Sequence, residues 1–361
     1  MASPARTRLD ALHGVLAQVS PGTPLREGLD RIVRAKTGAL VVVGDTAEVL
    51  HVCSGGFLLD APFSPQRLSE LAKMDGAIIL GGGGSRVARA NVHLVPDPSI
   101  STSETGTRHR TAERVSRQLR TIPVISVSEE MSVLTVYVGD AKHVLQESPR
   151  LLDKAGQALQ TLDRYKERLD EAITSLAALE VEDLVTLRDV AFVMQRSETV
   201  RRIAEEIETM IVELGVDARL LRLQLDELYG DTPTDLSLVI QDYVATEATE
   251  AVDQAMGALH RLTDDELVDA RNVASSLRLP GGGVDLDLVV QPRGYRLLAE
   301  LPRLSPDEAQ SVVDRYGTLV RLLRAPADDL ACCPGIDAER AQLIKDGLAR
   351  LAEASILDQY H

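Results

Sequence analysis

A basic segment at residues 105–111 has the side chains to bind a polyphosphate. It reads Thr-Gly-Thr-Arg-His-Arg-Thr, so two arginines and a histidine lie between two threonines. An arginine guanidinium offers a planar fork of donors that matches phosphate oxygens. The segment lies at the start of a predicted helix, where free backbone N–H groups favour anions, and Gly106 allows a close approach to the backbone. The alternative interpretation is a solvated basic turn before that helix.

Asp75, followed by Gly76 and Ala77, supplies the one carboxylate that such a site would need. These residues stand directly before an apolar run that predicts a buried strand, so the carboxylate would lie at an edge of the sheet. An aspartate in this position can hold Mg²⁺ or Mn²⁺ and bring it to a triphosphate. Gly76 and Ala77 are small enough for a flat base to lie on the backbone. Asp-Gly is also a common turn pair, and that interpretation would be preferred if the basic segment were absent.

Residues 1–150 predict an α/β domain in which one sheet is covered by helices. Helical periodicity alternates with short apolar runs, which is typical of layered helices and strands. The predicted helices are Leu25–Arg34, Ser64–Ala72 and Thr111–Leu119, and the predicted strands are Ala39–Asp45, Ala77–Leu80, Pro123–Val127 and Val133–Val138. Gly81–Gly84 lacks the Lys-Ser/Thr pair of a phosphate loop and the later acidic residue of a dinucleotide fingerprint, so we interpret it as a turn.

Residues 151–290 predict an all-helical bundle or spine. Apolar residues recur three and four positions apart with charges between them, over 151–179, 184–214, 218–228 and 236–262. Pro280–Gly283 predicts a linker-like break. Residues 291–361 predict a small all-helical module in which a short helix, a tight turn and a second helix occur twice. That layout is typical of paired helix-hairpin-helix units, so three domains are expected.

The net charge of −16 is concentrated in the middle of the chain. Residues 1–150 hold 17 basic and 15 acidic residues, residues 151–290 hold 13 and 29, and residues 291–361 hold 9 and 11. Overall acidity therefore does not exclude a polyanionic ligand at either end, because the local field decides binding.

Composition also indicates the cellular compartment in which we expect the protein. No apolar run approaches the ~20 residues that span a bilayer, so no membrane partner is expected. The first residues are not followed by the apolar core of a signal peptide. Cys53, Cys332 and Cys333 fit neither a disulfide framework nor a zinc site. We therefore expect a cytoplasmic protein.

Three motifs together identify a family resemblance: Met74–Ile79, His93–Asp97 and Ser101–Arg114. With them, the chain resembles the DisA family of bacterial DNA integrity scanning proteins, which are diadenylate cyclases, over essentially its full length. The resemblance implies an enzyme that condenses two ATP into cyclic di-AMP and releases two pyrophosphates. It also implies a divalent cofactor, Mg²⁺ or Mn²⁺.

The resemblance implies roles for the residues of the motifs. Asp75 would bind the metal and help to activate the ribose 3′-hydroxyl. The adenine and ribose pocket would be lined by Gly76, Ala77 and Leu94, and the triphosphate would be held by Thr107, Arg108, His109, Arg110 and Thr111. The family also places a serine near the phosphates at the end of a strand. Ser126 and Ser128 are the candidates here, and we favour Ser128.

The resemblance further implies a homo-octamer whose C-terminal module binds branched DNA, such as recombination junctions, and then suppresses the cyclase. This chain departs from the family pattern in both hairpins. Asp337 stands where a glycine is typical, and Pro302–Ser305 lacks the usual glycines. Two alternatives follow: a structural protein that binds DNA junctions and senses ATP without cyclising it, and a cyclase whose tail serves assembly alone.

Overall fold

The computed structural model describes residues 4–230, 232–244, 249–279 and 285–358. The chain divides into two compact units, Met1–Gln157 with Ile207–Leu223 and Ala158–Glu206 with Gln224–His361. Our division into three domains at residues 150 and 290 stays a prediction. The break predicted at Pro280–Gly283 lies outside the described residues.

Strands and helices alternate in the first unit, which confirms the predicted α/β class. In chain order the elements are α1 (Pro4–Val19), α2 (Pro24–Arg34), β1 (Ala39–Val43), α3 (Ala47–His51), β2 (Cys53–Ser54), β3 (Phe57–Pro62), α4 (Pro65–Leu71), β4 (Ala77–Gly81), β5 (Arg86–Leu94), α5 (Thr107–Leu119), β6 (Val124–Val127), β7 (Leu134–Val138) and β8 (Ala141–Val144). A 3₁₀ turn at Gly82–Gly84 connects β4 to β5, as expected for a turn after a strand. The elements that were not predicted are helices α1 and α3 and strands β2, β3, β5 and β8.

The described residues of this unit form one mixed, eight-stranded sheet. Its order is β2-β5-β4-β1-β6-β7-β8, and β3 also pairs with β5. β1 and β4 are parallel, and the other pairs are antiparallel. The parallel pair at the centre places the amino ends of β1 and β4 at the same edge of the sheet.

Helices cover both faces of the central strands. Val41 and Ile78 pack on the face that α1, α2 and α4 cover, whereas Leu40 and Ile79 pack on the face that α3 and α5 cover. Because successive residues of a strand point to opposite faces, burial of both faces requires continuous apolar runs. This requirement explains why β1 and β4 could be recognised from sequence.

Helix α5 begins four residues earlier than predicted, at Thr107 rather than Thr111. The apolar face of the helix contains Ala112, Val115 and Leu119, which are buried. The first turn contributes nothing to that apolar face, so the periodicity could not reveal it. The part of the basic segment from Thr107 to Thr111 is therefore the first turn of the helix and not a turn that precedes it.

The remaining secondary-structure elements of the described chain are helices, as predicted, apart from an isolated β-bridge between Thr186 and Val289. The helices are α6 (Ser148–Glu182), α7 (Leu187–Leu214), α8 (Arg219–Tyr229), α9 (Thr232–Tyr243), α10 (Thr249–Leu259), α11 (Asp264–Val268), α12 (Ala270–Ser276), α13 (Tyr295–Ala299), α14 (Pro306–Tyr316), α15 (Leu319–Arg324), α16 (Ala327–Leu330) and α17 (Ala338–Asp358). The single helix predicted over 236–262 is wrong, because α9 ends at Tyr243 and α10 is a separate helix. Within the described ranges, no helix is long and apolar enough to cross a membrane.

The last five helices, α13–α17, enclose a core of their own. Leu298, Val312, Leu319, Leu330 and Ala341 are among its buried members. A short helix, a turn and a longer helix occur twice, as α13 with α14 and as α16 with α17. The order of helices predicted for this module therefore agrees with the structure.

Candidate functional site

The register of the sheet brings Asp75–Ala77 and two other predicted positions to one edge. Leu40 of β1 pairs with Ala77 of β4, so Asp75 and Gly76 precede the sheet at this edge. Val92 of β5 pairs with Ala77, and β5 ends at Leu94. Because β6 is antiparallel to β1 and its Val127 pairs with Ala39, the following Ser128 lies at the same edge.

Gly76 lies against the backbone of β5 in a conformation that favours glycine. Its φ is +91°, and a Cβ at this position would be 2.9 Å from the carbonyl carbon of Asn91 and 2.9 Å from the carbonyl oxygen of Val92. A side chain would therefore clash with backbone atoms that cannot easily move. The exposed Asp75 is held at the start of β4 by this close approach, next to the buried Ala77.

The amino end of α5 has the features of an anion-binding site. Gly106 is the N-cap, and among the described residues no side chain caps the helix there. The first N–H groups of a helix have no partner within the helix and carry the positive end of its dipole. No acidic residue occupies this first turn, whereas Arg108 and Arg110 do. The Thr111 hydroxyl donates to the Thr107 carbonyl at 2.9 Å, so Thr111 would have to rotate before it could donate to a phosphate.

Arg108 connects this helix end to the edge that holds Asp75. Its guanidinium lies against Gly38, where an added Cβ would be only 1.9 Å from Nη1. Gly38 directly precedes β1, next to the amino end of β4. The structure therefore brings the two halves predicted from sequence, the carboxylate and the basic segment, to one place.

His109 contacts β7 through Tyr137. Its Nδ1 lies 2.9 Å from the Tyr137 hydroxyl, which in turn donates to Glu104 at 3.0 Å. Burial lowers the pKa of His109; Glu104 opposes this shift, whereas Lys142 and Arg108 add to it. The imidazole is therefore neutral at pH 7 in the free protein. Sequence reasoning assigned no role to Tyr137 or Glu104, because only the fold brings them to the histidine.

A loop before α5 is fixed to the helix by Glu113. This buried carboxylate accepts from the Thr102 hydroxyl at 2.5 Å and from the Ser103 N–H at 3.0 Å, and it pairs with Arg117 at 2.8 Å. Arg114 donates from Nε to the Ile100 carbonyl at 2.9 Å. These contacts explain why an acidic residue stands between the apolar positions of α5, and they hold the loop that carries Glu104.

The two candidate serines differ in access. Ser126 is fully buried inside β6, and its hydroxyl has no partner among the described residues. Ser128 is half-buried after β6, where its Oγ accepts from the Met131 N–H at 3.3 Å. Only the hydroxyl of Ser128 is accessible at the edge, which supports the choice of that residue.

Asp75 is the carboxylate at this edge that the sequence predicts to bind a divalent ion. Within the described part of the chain, no group of three or more His, Cys, Asp or Glu residues could form a complete metal site. Mg²⁺ is commonly bound by one or two carboxylates together with substrate phosphates and water. Asp75, near a helix end with free N–H groups that could bind phosphate, fits that pattern.

The chain is similar to known proteins over nearly its whole length. Residues 26–142 match the family model described as the nucleotide-binding region of the DisA bacterial checkpoint controller, and residues 145–285 match its linker region. A DNA integrity scanning protein DisA from Kineococcus radiotolerans is 51% identical over 361 residues, covering 99% of both chains. The protein of the same name from Acidothermus cellulolyticus is 50% identical, covering 97% of this chain and 96% of its own. One from Streptomyces coelicolor is 49% identical, covering 97% and 94%.

Proposed function

The chain belongs to the DisA family of DNA integrity scanning proteins, and we propose that it binds ATP between Asp75 and the amino end of α5. It is a diadenylate cyclase, an enzyme of the nucleotidyltransferase class. Two ATP molecules yield cyclic di-AMP and two pyrophosphates. The observation that supports the position of the site is the contact of the Arg108 guanidinium with Gly38. Gly38 lies at the same edge of the sheet as Asp75.

The chain's own residues would orient the triphosphate and neutralise its charge. The free N–H groups of α5, with Arg108 and Arg110, would bind the phosphates that leave as pyrophosphate. Gly76, Ala77 and Leu94 would line the adenine and ribose pocket. Asp75, with phosphate oxygens, would hold the divalent ion that the family requires, and we propose Mg²⁺ or Mn²⁺. When bound, such an ion supplies charge neutralisation at the phosphates.

A single site cannot complete the product. Each 3′-oxygen must attack the α-phosphorus of the other ATP, in line with the departing pyrophosphate. One site per chain therefore requires a facing copy, which fixes the reacting atoms within reach of each other. We propose the homo-octamer of the family as the assembly that provides facing sites, and a cytoplasmic location for it.

We also propose that α13–α17 form paired helix-hairpin-helix units that bind branched DNA. Backbone N–H groups at the hairpins would contact phosphates. Both hairpins of this chain carry their own caps: Ser305 and Glu308 form a capping box on α14, and Asp337 accepts from the Arg340 N–H at 2.8 Å on α17. These caps compete with phosphate, so we expect weak DNA binding that depends strongly on salt.

The proposal is tested by chromatographic analysis of products formed from ATP with Mg²⁺ or Mn²⁺, with and without four-way-junction DNA. Wild-type protein should form cyclic di-AMP, and junction DNA should reduce the rate. Asp75→Asn should abolish product, whereas Asp153→Asn, an equally conservative change at an exposed site on α6, should not.

Each other outcome has a specific meaning. Undiminished product in Asp75→Asn would contradict the role of Asp75. ATP binding without product in the wild type would favour the ATP-sensing structural protein. Cyclase activity with no junction binding at low salt would favour a tail that serves assembly alone.

A further inference from the structure

A chain of hydrogen bonds runs from α5 across β7 to β8, and the proposed cyclase does not account for it. His109 contacts Tyr137, Tyr137 contacts Glu104, and Glu104 pairs with Lys142 at 2.5 Å. All four side chains lie in the first unit. The inference that follows rests on the proposed nucleotide site, because it concerns how that site meets a phosphate.

The direction of these hydrogen bonds fixes the tautomer of His109. Burial and the hydrogen-bonded Glu104 raise the pKa of Tyr137 well above its ordinary value. The Tyr137 hydroxyl therefore stays protonated and donates a hydrogen bond to Glu104. The hydroxyl oxygen must then accept from His109, which places the ring proton on Nδ1. Neutral His109 is left with a bare lone pair on Nε2.

That lone pair is the unsatisfied end of the chain of hydrogen bonds. Nε2 is enclosed and has no partner among the described residues. The neighbouring ring atom, Cδ2, is the atom nearest to the position that a Cβ on Gly106 would occupy, at 3.8 Å. The ring edge that carries Nε2 therefore lies beside the open N-cap of α5, where an anion is expected. A phosphate oxygen offers no proton to a lone pair, so the two would repel each other unless a proton lies between them.

Four charged or titratable groups face the ring. Glu104 favours the protonated imidazole, Lys142 and Arg108 disfavour it, and Tyr137 transmits the effect of Glu104 by its hydrogen bond. Glu104 itself is ionised in the folded protein, since Lys142 and Tyr137 lower its pKa against the effect of burial. A carboxylate behind the ring thus stabilises a positive charge that the free site does not carry.

We propose that Glu104 and Tyr137 are positioning residues that hold His109 with Nδ1 protonated, so that Nε2 takes up one proton from the medium when ATP binds. The new N–H then donates to a phosphate oxygen. Glu104 and Tyr137 act through His109 and need not touch the substrate.

The test is the number of protons that the protein takes up when it binds 3′-deoxy-ATP in the presence of Mg²⁺. This nucleotide lacks the attacking 3′-hydroxyl and cannot cyclise. Calorimetric titrations in buffers of different ionisation enthalpy give this number between pH 6.5 and 9. His109→Gln gives the contribution of all other groups. The wild type should take up more protons than this variant, and the difference should fall at high pH, where His109 stays neutral even with nucleotide bound.

Substitutions of Glu104 and of its partner Lys142 should act in opposite directions. Glu104→Gln should move the fall in proton uptake to lower pH by about one unit, and Lys142→Gln should move it to higher pH. Tyr137→Phe removes only a hydroxyl and should reproduce the direction of Glu104→Gln, together with an increase in Kd of about tenfold. Tyr165→Phe, at an exposed tyrosine of α6, is the matched control and should change nothing.

Equal proton uptake in the wild type and His109→Gln would overturn the proposal. Displacement of both Glu104→Gln and Lys142→Gln in the same direction would also overturn it. The melting temperature of each variant shows whether it is folded, and Tyr137→Phe preserves the packing if Glu104→Gln is not. Failure of the proposed function is a separate result, since it would appear as absence of cyclic di-AMP in wild-type reactions with ATP.

Discussion

Gly38→Ala should weaken ATP binding without destabilising the protein. Gly38 is not a position that needs glycine for its backbone, because its φ is not in the left-handed region. Its importance lies in the space that it leaves for Arg108. An added Cβ would be 1.9 Å from Nη1, whereas ordinary van der Waals contact begins at 3.4 Å. The guanidinium, as the flexible end of a side chain, must therefore retreat by about 1.5 Å.

The magnitude follows from this displacement. Charge-assisted N–H···O bonds are about 2.7–2.9 Å long, so a retreat of about 1.5 Å removes the contact of Arg108 with a phosphate oxygen. A hydrogen bond to a charged group contributes about 1.5–3 kcal/mol. The Kd for ATP should therefore rise by about 10- to 150-fold. Stability should stay the same or rise by about 0.4–1 kcal/mol, because alanine restricts the unfolded chain.

The assay is calorimetric binding of 3′-deoxy-ATP together with the melting temperature. Gly156→Ala is the matched control: it lies in α6 with nothing within 4 Å of the added Cβ. It should stabilise the helix by about 1 kcal/mol and leave binding unchanged. A second measurement repeats Gly38→Ala in an Arg108→Ala background, where it should have no further effect. Unchanged affinity in the single variant, or an undiminished loss in the double variant, would refute the reasoning.

Three further substitutions test other parts of the structure. Gly106→Asp should place a carboxylate over the free N–H groups of α5; the melting temperature should rise while ATP affinity falls by about tenfold or more, and retained affinity would show that phosphate binds elsewhere. Gly76→Ala should destabilise the protein by about 1–3 kcal/mol in denaturant unfolding, since φ is +91° and the neighbouring atoms are backbone; an unchanged midpoint would contradict that geometry. Asp337→Gly should raise junction affinity severalfold at low salt and lose this gain as salt increases, because it removes a charge and a cap from α17; weaker binding would mean that the cap orders the hairpin.

The sequence determined the elements whose signals are local. β1 and β4 were recognised because strands buried on both faces need continuous apolar runs, and α2 because its apolar residues repeat with the helical period. The first turn of α5 and the edge strand β8 were missed, since neither presents a continuous apolar run or an apolar face. Helices α9 and α10 were merged because periodicity alone does not mark an interruption.

For the site, the sequence supplied the chemistry of the residues and the tertiary structure supplied their arrangement. Asp75 and the basic segment could be recognised because a carboxylate before a strand and arginines at a helix start have defined chemical uses. Their common location depends on the parallel pairing of β1 with β4 and on the space at Gly38, which are contacts between residues far apart in the chain. The partners of His109 likewise come from β7 and the preceding loop. Long-range pairing of this kind is set by the packing of the whole sheet, so only the folded chain decided which residues meet.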